Sequence, residues 1–473
     1  MTYKIPKNPC LSVFRPYDIR GPVSDNELSV DLCYAIGLSV GSESLRHGHD
    51  AIVTGRDGRL TSESLYTGFL AGLKASGMLI TDLGLCTSPM LYFARVHLKL
   101  KAAAILTASH SPKHYNGLKI IINDDTLLDE KIKNIYDRIV NNDLVYAEHL
   151  RDIKPFAIKP AYIKAITEKY KLSKPVKIVV DCGNGTGGVV AEELFTALGC
   201  EVIPLFCEVD GNFPNHHPDP IDPSNMQDLR AAVITHKAAL GVGFDGDADR
   251  IGIVDGSGEI ILTDRILMFL AENVLKNYPK GTPIVFDIKC SDHLAAHIKK
   301  HGGTPEIWTT GHSRIKMRMR DLNAPMAGEM SAHIFFQDEW IGCDDGMLTG
   351  ARILKLCEQK NKSFTDIIQS YQVGICSPEI RTPVSDVDKH RVIKHLIASI
   401  NDPEIINVST LDGLRISFAN GWGLIRASLT EPSLTMRFEG KTEQDLEHIK
   451  NKMQNWLRQT YQALNLSDKY QST

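Results

Sequence analysis

The sequence predicts three similar α/β domains with mixed, largely parallel sheets, followed by an α+β domain on an antiparallel sheet, the four set around a central cleft. Two observations carry this expectation. An apolar run, a glycine-rich or polar turn and a helical pattern recur three times, and the C-terminal part of the chain changes to short strands with tight turn signals. With 473 residues, there is chain for about three or four domains.

The recurring half-motif reads Ala51-Ile-Val-Thr-Gly-Arg-Asp-Gly-Arg, then Lys177-Ile-Val-Val-Asp-Cys-Gly-Asn-Gly-Thr-Gly-Gly, then Pro283-Ile-Val-Phe-Asp-Ile-Lys-Cys-Ser. After the first turn, Leu65, Phe69, Leu70 and Leu73 fall on one helical face, as a helix covering a sheet requires. Each copy then reaches a later strand, in Ala102-Ala-Ala-Ile-Leu-Thr, Ala239-Leu-Gly-Val-Gly-Phe and Ala324-Pro-Met-Ala. In the last domain, residues 414–418, 422–426 and 434–438 read as strands, with Asn420-Gly421 a hairpin turn. Thr442 and Asp445 then open an amphipathic helix bearing Leu446, Ile449, Met453, Trp456 and Leu457. Boundaries are expected within 151–160, near 255–258 and near 371–378, giving domains 1–152, 153–256, 257–371 and 372–473.

Composition excludes several classes. The formal charge is −4, from 53 Lys+Arg against 57 Asp+Glu, with no long run of one sign, which argues against a nucleic-acid partner. Ten cysteines without a Cys-x-x-Cys pair suggest neither a zinc knuckle nor a disulfide framework. The N-terminus lacks the apolar stretch of a signal peptide, and no segment approaches the ~18 consecutive apolar residues of a membrane span. A cytoplasmic protein without membrane association is expected.

Ligand sites in α/β sheets lie beyond the carboxyl ends of strands, and three different chemistries follow the third strands. Asp245, Asp247 and Asp249 alternate with small residues and can aim three carboxylates at one point. They would repel one another without a cation, and oxygen-only ligands with open positions favour Mg²⁺. An EF-hand is excluded because its twelfth position is Gly256; a solvated acidic turn is the alternative. Ser109, followed by His110 and the stiffening Pro112, is a candidate nucleophile with Lys119 nearby in sequence, or else a turn cap. Glu329, Ser331 and His333 share a face if their segment is strand-like, and could read vicinal sugar hydroxyls; the alternative is an edge strand facing water. Arg426, Ser428 and Thr430 match a phosphate, or form an ordinary polar turn.

Thr107-Ala-Ser-His-Ser-Pro, Asp245-Gly-Asp-Ala-Asp-Arg, Gly328-Glu-Met-Ser-Ala-His and Arg426-Ala-Ser-Leu-Thr-Glu-Pro stand in that order behind Phe14-Arg-Pro-Tyr-Asp-Ile-Arg-Gly. The set resembles the α-D-phosphohexomutase superfamily across nearly the whole chain, closest to its bacterial phosphomannomutase/phosphoglucomutase branch. That resemblance implies an enzyme interconverting hexose 1-phosphate and 6-phosphate, on mannose and on glucose, through a phosphoserine and a hexose 1,6-bisphosphate that reorients. Ser109 would carry the phosphoryl group and, with Asp245, Asp247 and Asp249, complete the Mg²⁺ site. Tyr17, Arg20, Lys119, Arg250, Lys289 and His312 match positions lining the catalytic cleft; Lys119, His110 and His312 are the candidate proton carriers. Glu329 and Ser331, with His333 beside them, would hold the sugar, and Arg426, Ser428 and Thr430 the phosphate not being transferred. Glucose 1,6-bisphosphate is implied as activator, hexose phosphates as the small-molecule partners, and a monomer or weak dimer as the assembly.

Two departures stand out: Ala332 replaces the usual Gly and stiffens the loop, and Leu429 replaces a common Asn or Gly. Phosphoglucosamine mutase is the nearest alternative, and Met330, where that branch usually has Gln, argues against it. A sugar phosphatase would need a positioned water, and a non-catalytic sensor would be expected to lose Ser109 or an aspartate, all of which are present.

Overall fold

The computed structural model describes residues 3–371, 373–428 and 432–466. The chain divides into two compact units, each discontinuous in sequence. One comprises residues up to Ile266 with Ser331–Ile368, the other Leu267–Met330 with residues from Gln369 onward.

The first unit carries two mixed sheets. One runs in the order Ile19–Pro22, Tyr115–Ile122, Ala102–Leu106, Ala51–Arg56, Leu79–Leu85 and Lys154–Pro155. Ala51–Arg56 is parallel to both neighbours, whereas Tyr115–Ile122 is antiparallel to Ala102–Leu106. The expected helix is Ser62–Ala75; Leu65, Phe69 and Leu73 are buried on it and Leu70 packs partly covered. Its contact with helix Val30–Arg46 runs backbone to backbone. A Cβ on Gly37 would lie 2.1 Å from the Phe69 carbonyl oxygen, and one on Gly72 2.0 Å from that of Tyr34, so no side chain fits at either point.

The second sheet runs Ile260–Ile261, Ile251–Asp255, Leu240–Phe244, Val176–Asp181 and Cys200–Leu205. Leu240–Phe244 is parallel to Val176–Asp181 and antiparallel to Ile251–Asp255. The two sheets therefore share a device: an inner parallel strand turns back through a short loop into an antiparallel strand. The 107–114 loop and the 245–250 loop are these turns, at the carboxyl ends of Ala102–Leu106 and Leu240–Phe244.

In the second unit, Thr304–Trp308, Pro283–Asp287 and Met326–Gly328 pair in parallel. A separate antiparallel sheet runs Ile375–Cys376, Ser433–Gly440, Gly421–Ala427, Leu414–Phe418 and Asn407–Ser409, with Ile380–Pro383 also against Ser433–Gly440. The hairpin turns at Ala419 and Asn420. The capping box of Thr442 and Asp445 is present at the start of helix Glu443–Ala463, satisfying amides that the first turn leaves open. Ile449, Met453 and Leu457 are buried in its core and Leu446 and Trp456 pack at the margin, each full burial stabilising by roughly 1.5–3 kcal/mol. Among the described residues, no helix is long and apolar enough to cross a membrane.

Candidate active site

In the first unit the two return loops meet. Ser109 Oγ donates a hydrogen bond to Asp245 Oδ2 and lies 3.2 Å from His110 Nδ1. The Ser109 backbone has φ 48°, in the left-handed region that a side chain disfavours by about 1–2 kcal/mol. Several contacts hold it there. The buried Arg59 guanidinium donates to the carbonyl oxygens of Ser109 (2.7 Å), Ser111 (2.6 Å), Pro112 (2.8 Å) and Tyr115 (3.1 Å), with Asp57 as its counter-ion. Ser109 N also donates to Thr107 Oγ1. Gly246 makes the approach of the second loop possible, since a Cβ there would sit 2.4 Å from the Ser109 carbonyl oxygen.

Asp245, Asp247 and Asp249 are fully buried, and one ligand oxygen from each lies within 4.8 Å of the others. Lys119, from strand Tyr115–Ile122, donates to Asp247 Oδ2 at 2.6 Å and Asp249 Oδ2 at 2.5 Å. Ser88, at the start of helix Ser88–His97, donates its hydroxyl to Asp247 Oδ2 at 2.6 Å. One ammonium cannot balance three carboxylates. Burial, reinforced by Asp249 and Asp247, pushes the Asp245 carboxyl well above the usual carboxylate range. Burial also acts against the charge of Asp247, but Lys119 and Ser88 outweigh it and hold that carboxyl below its ordinary value. For Lys119 the balance is similar: burial disfavours its charge, and Asp247 and Asp249 overcome this and hold it protonated. Oδ1 of Asp247 and Oδ1 of Asp249 are buried yet accept no hydrogen bond among the described residues. His333 Nδ1 lies 3.4 Å from Asp249 Oδ1; charge excess and carboxylate oxygens without a hydrogen bond both fit a hard divalent cation.

The remaining first-unit residues are placed by their own contacts and burial. Arg20 holds Asp18 through two nitrogens and donates to Ser111 Oγ at 3.0 Å; Tyr17 is buried two residues before strand Ile19–Pro22. Arg250 Nε lies 3.9 Å from Asp245 Oδ2 and donates to His333 Nε2 at 2.9 Å, while His333 Nδ1 is 2.9 Å from Asp344 Oδ2. Both imidazole nitrogens of His333 thus face protein groups. The alternation expected of Glu329, Ser331 and His333 is absent: the strand ends at Gly328, Met330 and Ser331 form a turn, and Ala332 has φ 67°. One left-handed residue breaks the two-residue repeat of a strand.

In the second unit, Lys289, Glu329 and Arg426 are buried, and three acids face the two cations. Lys289 Nζ lies 3.3 Å from Glu379 Oε2 and 3.8 Å from Asp287 Oδ2. Burial opposes its charge, but Glu379 and Asp287 raise its pKa; Arg426 and Glu329 are near enough to act on it as well. Glu329 Oε1 accepts from Gly311 N at 2.5 Å, next to His312, the first residue of helix His312–Asp321. Arg426 Nε donates to Asp412 Oδ2 at 3.1 Å, and Thr310 ties Asp412 to Asp287. Ser428 is buried, its carbonyl oxygen held by Lys389 at 2.6 Å. Thr430 and Leu429 lie outside the described residues.

Sequence reasoning missed Arg59, Ser88, Asp344, Glu379 and Asp412. Arg59 stood in the first glycine-rich turn, and Ser88 follows Thr87 and precedes Pro89, a helix-start signal; neither pattern names the loop it supports.

Comparison with known proteins agrees along the chain. Models of the phosphoglucomutase/phosphomannomutase alpha/beta/alpha domains I, II and III match residues 11–145, 160–258 and 263–373, and that of the C-terminal domain matches 379–455. A phosphomannomutase/phosphoglucomutase of Pseudomonas aeruginosa is 45% identical over 457 residues, covering 97% of each chain. A phosphoglucomutase of Neisseria gonorrhoeae is 41% identical, over 93% of this chain and 95% of that one. A crystal structure of a phosphoglucomutase/phosphomannomutase family protein from Burkholderia thailandensis superposes with TM-score 0.89 at 37% identity, covering 96% of this chain and 98% of that one. Family models thus match along nearly the whole chain, and the chain belongs to the phosphoglucomutase/phosphomannomutase family and is a phosphohexomutase.

Proposed function

We propose that the chain interconverts the 1- and 6-phosphates of mannose and of glucose, with Ser109 as phosphoryl carrier. The observation that carries this reading is the Ser109 hydroxyl bonded to Asp245 within a buried cluster that also holds Lys119. Asp245, Asp247 and Asp249, with the phosphate on Ser109, would hold Mg²⁺, which when bound would supply charge neutralisation at the phosphoryl oxygens. Phospho-Ser109 gives its group to the free hydroxyl of a hexose phosphate. The resulting 1,6-bisphosphate reorients and returns the other phosphate to the serine. Lys119, Arg20 and Arg250 steady the transferred charge, and His110, Lys119 or His312 relays the proton. Tyr17 and Lys289 line the site. Arg426, Ser428 and Thr430 hold the phosphate at rest, and Glu329 and Ser331 hold sugar hydroxyls common to both orientations. His333, engaged on both ring nitrogens, contributes by positioning Arg250. Glucose 1,6-bisphosphate re-primes dephosphorylated enzyme. The domain divisions at 152, 256 and 371, a cytoplasmic location and a monomeric or weakly dimeric state complete the proposal.

A coupled assay tests it. Mannose 1-phosphate and glucose 1-phosphate should both yield their 6-phosphates. Their kcat/KM values should differ by no more than about 10–200-fold, because a position that the site does not hydrogen-bond discriminates weakly. Ser109→Ala should fold and lose nearly all turnover, while wild type carries phosphate on Ser109 by mass spectrometry. Release of free phosphate in place of the 6-phosphate would mark a phosphatase, and normal turnover of the alanine variant would remove Ser109 from the mechanism.

A further inference from the structure

One cluster in the second unit joins three metal-ligating side chains that the phosphoryl transfer does not use. Glu272 lies on helix Thr263–Leu275, His297 on helix Asp292–Lys300, and His301 caps the end of that helix. A spacing of four residues puts both imidazoles on one face, and their ring centroids are 4.4 Å apart. His297 Nε2 is 3.3 Å from Glu272 Oε2, His301 Nε2 is 3.8 Å from the same oxygen, and the three ligand atoms lie within 4.8 Å of one another. A tetrahedral ion with bonds of about 2.1 Å holds its ligand atoms about 3.4 Å apart, so the 3.3 Å edge already has the needed length and the 3.8 Å edge has only to close slightly.

A second observation concerns alignment. His297 Nε2 is buried and makes no hydrogen bond among the described residues, although Glu272 is within reach. Donor and acceptor at that distance should point at each other; two ligands of one cation point instead at a shared centre. Tyr371 donates its hydroxyl to Glu272 Oε2 at 3.1 Å, and its ring meets that of His297 edge-on at 4.9 Å, supports of the kind that orient metal ligands. The His301 side chain is 31% exposed, against 12% for His297 and 11% for Glu272, which leaves an entry route and room for a water ligand. Because strands Pro283–Asp287 and Thr304–Trp308 are parallel, the intervening helix runs back along them. The cluster at its end therefore lies toward the start of Pro283–Asp287, away from Asp287 and Lys289.

We propose that Glu272, His297 and His301 form a second cation site, distinct from the acidic triad, for zinc or a similar divalent transition ion. Two imidazoles and one carboxylate suit such an ion and not Mg²⁺, and bridging two helices would stabilise the unit by preferential binding to the folded state. The test is titration of cobalt(II) into the full, untagged chain with Mg²⁺ in excess, followed through the visible bands of tetrahedral cobalt. The expected result is one equivalent bound and displaceable by zinc. His297→Gln and His301→Gln should each weaken binding at least about tenfold, and Asp247→Asn should leave the bands in place. Both histidine variants should retain Mg²⁺-dependent turnover, which establishes that they fold. Absence of tetrahedral bands in wild type, their survival in the double histidine variant, or their loss in Asp247→Asn would each overturn the site.

Discussion

Ala332 is buried at φ 67°, a backbone conformation that its methyl group disfavours by about 1–2 kcal/mol. The Ile251 amide donates to its carbonyl oxygen at 3.3 Å, and the next residue, His333, accepts from Arg250, so the strained peptide ties the start of strand Ile251–Asp255 to the imidazole that orients Arg250. An ordinary Ala→Gly exchange loses about 0.4–1 kcal/mol through the unfolded chain. At this position relief of strain should offset that loss, so Ala332→Gly is expected to melt at or above the wild-type temperature in calorimetry. A clear drop in Tm would mean that the turn is not strained. The same residue shows where sequence reading stopped. Glu329, Ser331 and His333 look alternate, and the one hint of a left-handed turn was that Ala332 stands where the family usually has Gly.

The secondary elements were far more legible. Residues 414–418 form the strand expected of them, and the capping box of Thr442 opens its helix, because both signals are local and each residue acts on near neighbours. The acidic loop was legible for the same reason, since Asp245, Asp247 and Asp249 occupy one turn. Arg59 was not. It reaches the carbonyls of the Ser109 loop only because Ala51–Arg56 pairs with Ala102–Leu106, a neighbourhood that strand order decides. Asp345 is another such case. It caps helix Gly346–Lys360 through the Leu348 amide and accepts the Tyr162 hydroxyl at 2.8 Å. Burial pushes its carboxyl up to about 7. The folded state therefore binds more protons than the unfolded one between the ordinary aspartate pKa of about 3.9 and about 7, and this group makes stability fall as pH rises through that window. Asp345→Asn keeps a capping oxygen and removes the titration. Its Tm should gain on wild type steadily from about pH 4 to about pH 7; parallel pH profiles would show that Asp345 ionises without penalty.

The candidate residues divide between the two compact units: Ser109 and the acidic triad lie in the first, and Lys289, Glu329 and Arg426 in the second. If the second unit's cations hold the resting phosphate, their contacts are the same before and during transfer. Such uniform binding lowers KM without raising kcat. Arg426 is buried and donates to Asp412, which fixes the orientation of its guanidinium. Removing it should lose about 1.5–3 kcal/mol of a charge-assisted contact, which raises KM by about tenfold or more with kcat little changed. On the proposed mechanism, the substrate and the bisphosphate activator would present the same group to Arg426. Arg426→Ala should therefore raise the half-saturating concentration of glucose 1,6-bisphosphate by the same factor as the KM for glucose 1-phosphate, measured with and without activator. Factors differing by more than about tenfold, a gap of 1.4 kcal/mol, would mean that substrate and bisphosphate are held by different residues.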